Sequence, residues 1–189
     1  LLASARQVAD LDGGGLVSRA AALYSRFDFQ VVSGCLYVMR PAAVQTMPEG
    51  LLLEDAWLSA QVGNDAIATV ASALVRFRPP ATLRDYFRQR LRTEAGKLQI
   101  CRGQPATGAG RRRSVARYPW QVMVRELGPR DVPAIAVSLS TRILARVCAA
   151  MAERLGISVR WSPILSTKVG WAERRTLRGG ESWANQTIR

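Results

Sequence analysis

An α/β fold followed by a helical tail is what this sequence predicts, and three observations carry that expectation. Hydrophobic residues make up 48% of the 189-residue chain, enough for one domain with a packed core. The stretch Ile67 to Phe77 has strand character, with Ile67, Thr69, Val75 and Phe77 on one parity. It is followed by Leu83, Phe87, Leu91, Ala95 and Leu98 at helical spacing, and later by the apolar run Val132 to Met151.

Taken in order, residues 1–30 read as a helix-rich lead-in broken by Asp12-Gly13-Gly14-Gly15. That glycine run lacks the Lys-Ser/Thr of a P-loop and is expected to be a turn. Phe29 to Met39 is rich in Val and aromatics and is interrupted at Ser33-Gly34, which predicts strand, tight approach, then strand or short helix. Met47-Pro48-Glu49-Gly50 is a turn. Glu54-Asp55 opens a helix, where two acids face the positive end of its dipole. Pro79-Pro80 closes the strand that starts at Ile67.

Thr82 with Asp85 three residues on resembles a capping box. The helix it opens carries a core face and a cationic face of Arg84, Arg88 and Arg92, joined by Gln89. From Arg102 to Arg130 the chain is rich in Gly, Pro and Arg, and reads as a linker. In Val132 to Met151, Leu139, Ile143, Val147 and Met151 form an i, i+4 stripe beside Arg142 and Arg146. Those arginines argue against a membrane span and for an amphipathic helix at a membrane surface or another domain. The expected organisation is thus 1–101, a linker at 102–130, and an amphipathic helical tail at 131–189.

Composition narrows the chemistry. The formal net charge is +13, and all the basic residues except Lys97 and Lys168 are arginine. Such an excess attracts phosphates of nucleic acid, anionic lipid or a nucleotide sugar. It is also what a GC-rich genome writes wherever a surface cation is needed. There is no histidine, which removes Ser-His and Cys-His pairs and His metal ligands. Cys35, Cys101 and Cys148 make neither a zinc spacing nor a disulfide framework, consistent with a reducing compartment. Acid/base work therefore falls to carboxylates. The opening Leu1-Leu2, without Met or a charged region before an apolar run, reads as a cut rather than a terminus.

Three signals line up along the chain. They are Ser33-Gly34-Cys35-Leu36-Tyr37-Val38-Met39-Arg40, then Glu54-Asp55, then Gln89-Arg90-Leu91-Arg92. In order and spacing they resemble the second half of family 2 glycosyltransferases, across about Phe29 to Gln99. The resemblance implies a partial GT-A, Rossmann-like fold and inverting transfer from a nucleotide sugar to a glycan or glycolipid, at the cytoplasmic face of a membrane. It implies Asp55 as the base, Glu54 as an orienting or acceptor-binding acid, and Gly34, Gln89, Arg90 and Arg92 as substrate contacts.

Thr93 stands where the family's motif has Trp, which removes an aromatic platform for an acceptor sugar. The family's Asp-x-Asp motif, which holds the nucleotide and a divalent Mg or Mn ion, belongs to an N-terminal half not present here. Asp10-Leu11-Asp12 has that spacing but precedes Gly13 with no nucleotide-binding βαβ unit ahead of it, so it reads as a turn. No metal is expected on this chain, and the chain alone is expected to be inactive. Two other readings stand beside this one. One is a basic nucleic-acid-binding module using Arg111 to Arg113 and the Arg84, Arg88, Arg92 stripe, for which no recognition motif is seen. The other is a non-catalytic adaptor that keeps the fold.

Overall fold

The structure is a computed structural model that describes residues 2–12, 14–26, 36–40, 48–62, 66–103 and 127–159. Gly34, Arg111 to Arg113, most of the expected linker and the tail beyond residue 159 lie outside the described residues. What is described is mixed α/β: a small mixed sheet carrying helices.

β1 (Leu2–Ala9) is the middle strand, antiparallel to β2 (Tyr37–Met39) and parallel to β3 (Ile67–Phe77). Leu2 pairs with Met39 on one side and with Ile67 on the other, so the sheet is in register from its first residue. β1 corrects the expected helix-rich lead-in. Its Leu, Ala, Arg and Gln favour helix locally, but strand partners on both sides satisfy its backbone and override a propensity worth tenths of a kcal/mol per residue. The ladder with β3 breaks between Ala5 and Arg6, where Val70 is followed in pairing by Leu74. Ala71, Ser72 and Ala73 thus form an irregularity that lets β3 run on to Phe77.

After the turn that follows β1, α1 (Leu16–Ala22) continues into a 3-10 turn, Leu23–Arg26. α2 (Glu54–Val62) starts on the two acids. α3 (Leu83–Gly103) starts as its sequence indicates, with the Asp85 N–H donating to Thr82 Oγ1 at 3.2 Å. A 3-10 turn at Pro129–Asp131 then leads into α4 (Val132–Arg154).

The core has two parts, and α3 belongs to both. Leu2, Leu53, Trp57, Leu58, Ile67 and Ile100 cluster between the sheet, α2 and the end of α3. Ala20, Leu23, Tyr86 and Ala134 cluster where α1, α3 and α4 meet. The stripe expected to be the core face of α3 is only half-buried, and Leu83 is 55% exposed. Tyr86, Glu94, Gly96 and Ile100 are the buried positions instead. A helix gripped on two flanks does not bury one apolar stripe; it buries the residues that each flank reaches.

On the first flank Tyr86 is fully enclosed, its hydroxyl in contact with the Ala20 carbonyl at 3.3 Å and Ser138 Oγ at 3.0 Å. Arg90 Nε donates to the same hydroxyl at 3.2 Å, and its guanidinium lies over the rings of Tyr24 and Tyr86. Buried Glu94 takes Lys97 at 2.7 Å and faces Arg142 of α4 at 3.8 Å. α4 meets this flank with small residues, Ala134, Ser138, Thr141, Ala145 and Ala149, which allow close helix approach.

On the second flank Gly96 lets α3 touch the segment that precedes α2. A Cβ at Gly96 would lie 2.6 Å from Leu53 Cγ, well inside contact distance. Three residues on, Gln99 Oε1 accepts the Leu52 N–H at 3.1 Å. Gly96→Ala should therefore destabilise the chain even though alanine gains about 1 kcal/mol of helix propensity. Overpacking against Leu53 costs about 1–3 kcal/mol. Urea unfolding checks this, and in a Leu53→Ala background the same substitution should be neutral or stabilising.

Candidate active site

Asp55 is the second residue of α2, half-buried, with Glu54 exposed beside it. Its Oδ1 accepts the N–H of the next residue, Ala56, at 2.8 Å, and its carbonyl accepts Ser59 Oγ at 2.8 Å. The first helical bond, Trp57 N–H to Leu53 carbonyl at 3.1 Å, starts from the residue clamped by Gly96. The position of Asp55 is thus fixed from both sides: by the packed Leu53 before it and by buried Trp57 and Leu58 after it.

The same clamp brings in α3. At 3.6 residues per turn, Arg92, Gly96 and Gln99 fall within roughly 60° of one another on one face. Arg92 therefore points to the side on which α3 meets the start of α2, and its Nε is buried. Burial is the largest influence on the Asp55 carboxyl and raises its pKa; the backbone N–H bonds lower it, and the Arg92 charge lowers it least of all. The neighbouring Glu54 carboxylate raises it too. The Asp55 pKa is raised above its ordinary 3.8 as a net result. A desolvated carboxylate whose pKa is raised is better suited to taking a proton than an exposed one.

The candidate residues do not all fall in one place. Asp55 and Glu54 are neighbours at the start of α2, and Arg92 lies on the face of α3 that meets the segment before it. Gln89 is half-buried on the same side of α3 as Arg92, one turn earlier, and its carbonyl accepts Thr93 Oγ1. Arg90 points roughly 160° away from Arg92 at about 100° per residue, into the Tyr24–Tyr86 contact. The geometry gives Arg90 a packing role and places it apart from Asp55. Gly34 lies outside the described residues. Arg84 and Arg88 are exposed on the outside of α3.

Leu53, Gly96 and Gln99 join α3 to the start of α2, a role that the sequence assigns to none of them. A glycine in the middle of an otherwise regular helix was the signal that could have found them. Asp10 and Asp12 close a turn: the Asp12 N–H donates to Asp10 Oδ1 at 3.2 Å, and the Gly14 N–H to the Leu11 carbonyl at 2.8 Å. Among the described residues no group of acidic or cysteine side chains is arranged to hold a metal ion.

Comparison with known protein families, with curated proteins and with solved structures finds no match to this chain.

The raised pKa of Asp55 has a consequence for stability. Between the ordinary carboxylate range and the raised value, the folded chain binds more protons than the unfolded chain. Stability contributed by this group therefore falls as pH rises through that window. Asp55→Asn removes the ionisation and keeps an oxygen to accept the Ala56 N–H. Its Tm should exceed the wild-type value at neutral pH, and the gap should close as pH falls below 3.8. A gap that is independent of pH would assign the effect to something other than the charge of Asp55.

Proposed function

We propose that this chain is the acceptor-side half of a family 2, inverting glycosyltransferase of GT-A type. The observation that supports this most is that α3, which carries one motif, packs on the residues that immediately precede the other. The Gln89–Arg92 turn of α3 and the Glu54–Asp55 start of α2 share one side of the α2–α3 junction, with the Arg92 charge acting on Asp55.

In this reading Asp55 takes the proton of the acceptor hydroxyl as its oxygen attacks the anomeric carbon of the donor sugar. The bond from that carbon to the nucleotide diphosphate breaks on the opposite face, which inverts the centre. Arg92, planar and permanently charged, meets the negative charge that grows on the diphosphate. Glu54 contacts the acceptor, and Gln89 borders the same pocket. The donor nucleotide and a divalent Mg or Mn ion are held by a half of the enzyme outside this chain. Val38 on β2, 70% exposed, and exposed Leu36 just before it suit a sheet edge on which that half would pack.

α4 completes the reading. Among the described residues one helix, Pro129–Arg154, is long and apolar enough by length and composition to cross a membrane. Its stripe of Leu139, Ile143, Val147 and Met151 faces outward, which suits a helix lying at the cytoplasmic membrane surface. Arg142 does not join the headgroups as its spacing suggests. It turns inward, to Glu94 and to the Tyr24 hydroxyl at 3.3 Å, and leaves Arg146 exposed beside the stripe. Alkaline carbonate should strip the chain from membranes, and retention in the pellet would contradict a surface contact.

The chemistry is tested in the whole enzyme, with nucleotide sugar turnover and nucleotide binding measured side by side. Asp55→Asn should lower turnover by at least ~10² with nucleotide affinity kept. Arg92→Ala should lower turnover without unfolding the protein. Normal turnover by Asp55→Asn would remove that residue from the mechanism. On the isolated chain, micromolar metal-dependent binding of a nucleotide sugar would overturn the division into two halves.

A further inference from the structure

We propose that the chain carries a second anion site, for a phosphate monoester or diphosphate group, at the end of β1 away from Asp55. The inference is independent of the glycosyltransferase reading. A solvent-open cleft of about 210 Å³ lies between the last residues of β1 and the α1 segment. Its polar lining is Arg6, Arg19, Arg26, Ser25 and Asp131, and none of the residues around Asp55 contributes to it. β1 is about 25 Å long at 3.3 Å per residue, and the two sites lie toward its opposite ends. The Asp55 site shares the cluster of Leu2 and Ile67, whereas the cleft is lined by Arg6, Val8 and Ala9.

Three separate pieces of backbone deliver the guanidinium groups. Arg6 and Val8 lie on one parity of β1, Arg19 projects from α1, and Arg26 ends the 3-10 turn that continues it. Spacing alone does not bring Arg6 together with Arg19 and Arg26; the fold does. Among the described residues Asp131 is the single carboxylate in the lining, beside three arginines. Asp131 already accepts from Arg26 Nη1 at 3.0 Å and also accepts the Gly128 N–H at 3.2 Å. It therefore shows how an anionic oxygen sits against this wall, and it competes with an incoming one for Arg26.

Size and charge select the ligand class. The cleft is below the roughly 300–1,000 Å³ of pockets that engulf a drug-sized ligand. It suits a small, densely charged head group rather than a whole nucleotide sugar. Planar guanidinium forks match phosphate oxygens two at a time, and the doubly charged terminal phosphate gains most from several of them. A soluble phosphate and the phosphomonoester head of a lipid present the same chemistry to the cleft.

The test measures binding of pyrophosphate by calorimetry, and of phosphatidylcholine vesicles with and without phosphatidic acid by sedimentation. It uses the wild-type chain, Arg19→Gln and Asp131→Asn. Arg19 is exposed at the rim, so its glutamine variant should fold as wild type, which circular dichroism checks. Arg19→Gln should weaken pyrophosphate binding by about tenfold. Asp131→Asn should strengthen it, an increase that a merely structural role for Asp131 would not produce. Dependence on Arg19 seen only with phosphatidic acid vesicles supports the site and assigns its ligand to a lipid. Equal binding by wild type and Arg19→Gln in both arms overturns the proposal.

Discussion

The contact between Gly96 and Leu53 is the constraint on which the candidate site rests. Helices that meet through bulky side chains keep their axes about 8–10 Å apart, and glycine allows a closer approach. Here the approach is between α3 and the residue that immediately precedes the first turn of α2. Because Leu53 accepts the Trp57 N–H, fixing Leu53 also fixes where α2 begins and where Asp55 lies. Gln99 fastens the same segment through the Leu52 N–H. Arg92, one turn before Gly96, is carried to the acid by the same helix face. The position of Asp55 thus depends on the close approach that this glycine allows.

α3 can hold that position because its other side is anchored independently. Tyr86 and Glu94 are buried polar groups, and such groups are tolerated only with partners. Ala20, Ser138, Arg90, Lys97 and Arg142 supply them from three helices. Arg102 adds an ion pair to Glu153 at 2.7 Å near the far end of α3 and α4, though it is largely exposed and stabilises little. The helix that the sequence marks as a tail therefore acts as a wall of the main body. Its small residues face inward and its large apolar ones face outward, so burial and exposed apolar surface come from opposite faces of the same element.

Much of this was legible in the residues. β3 follows the expected bounds, Pro79-Pro80 end it, Thr82 starts α3, and Glu54-Asp55 start α2, because those signals are local. β1 was not legible, since its composition favours helix and only the neighbouring strands make it a strand. The inward face of α3 was not legible either. Leu83 to Leu98 form a regular stripe, but which part of a helix is buried depends on what packs around it. The inward turn of Arg142 shows the same limit: spacing placed it beside an apolar stripe, and a buried carboxylate on another helix decided where it points. At the site, the acids and Arg92 could be named from their resemblance to known motifs, while the residues that bring them together have no chemistry to mark them.

The most direct test of this account is the titration of the Asp55 carboxyl carbon by NMR in wild type and in Arg92→Gln. Burial at the start of α2 should place the wild-type transition above the ordinary Asp value of 3.8. Removing the positive charge that α3 brings to this acid should raise it further. An ordinary transition in the wild-type chain, or one that does not move when Arg92 is neutralised, would contradict the claim that the clamp at Gly96 joins these two residues into one site.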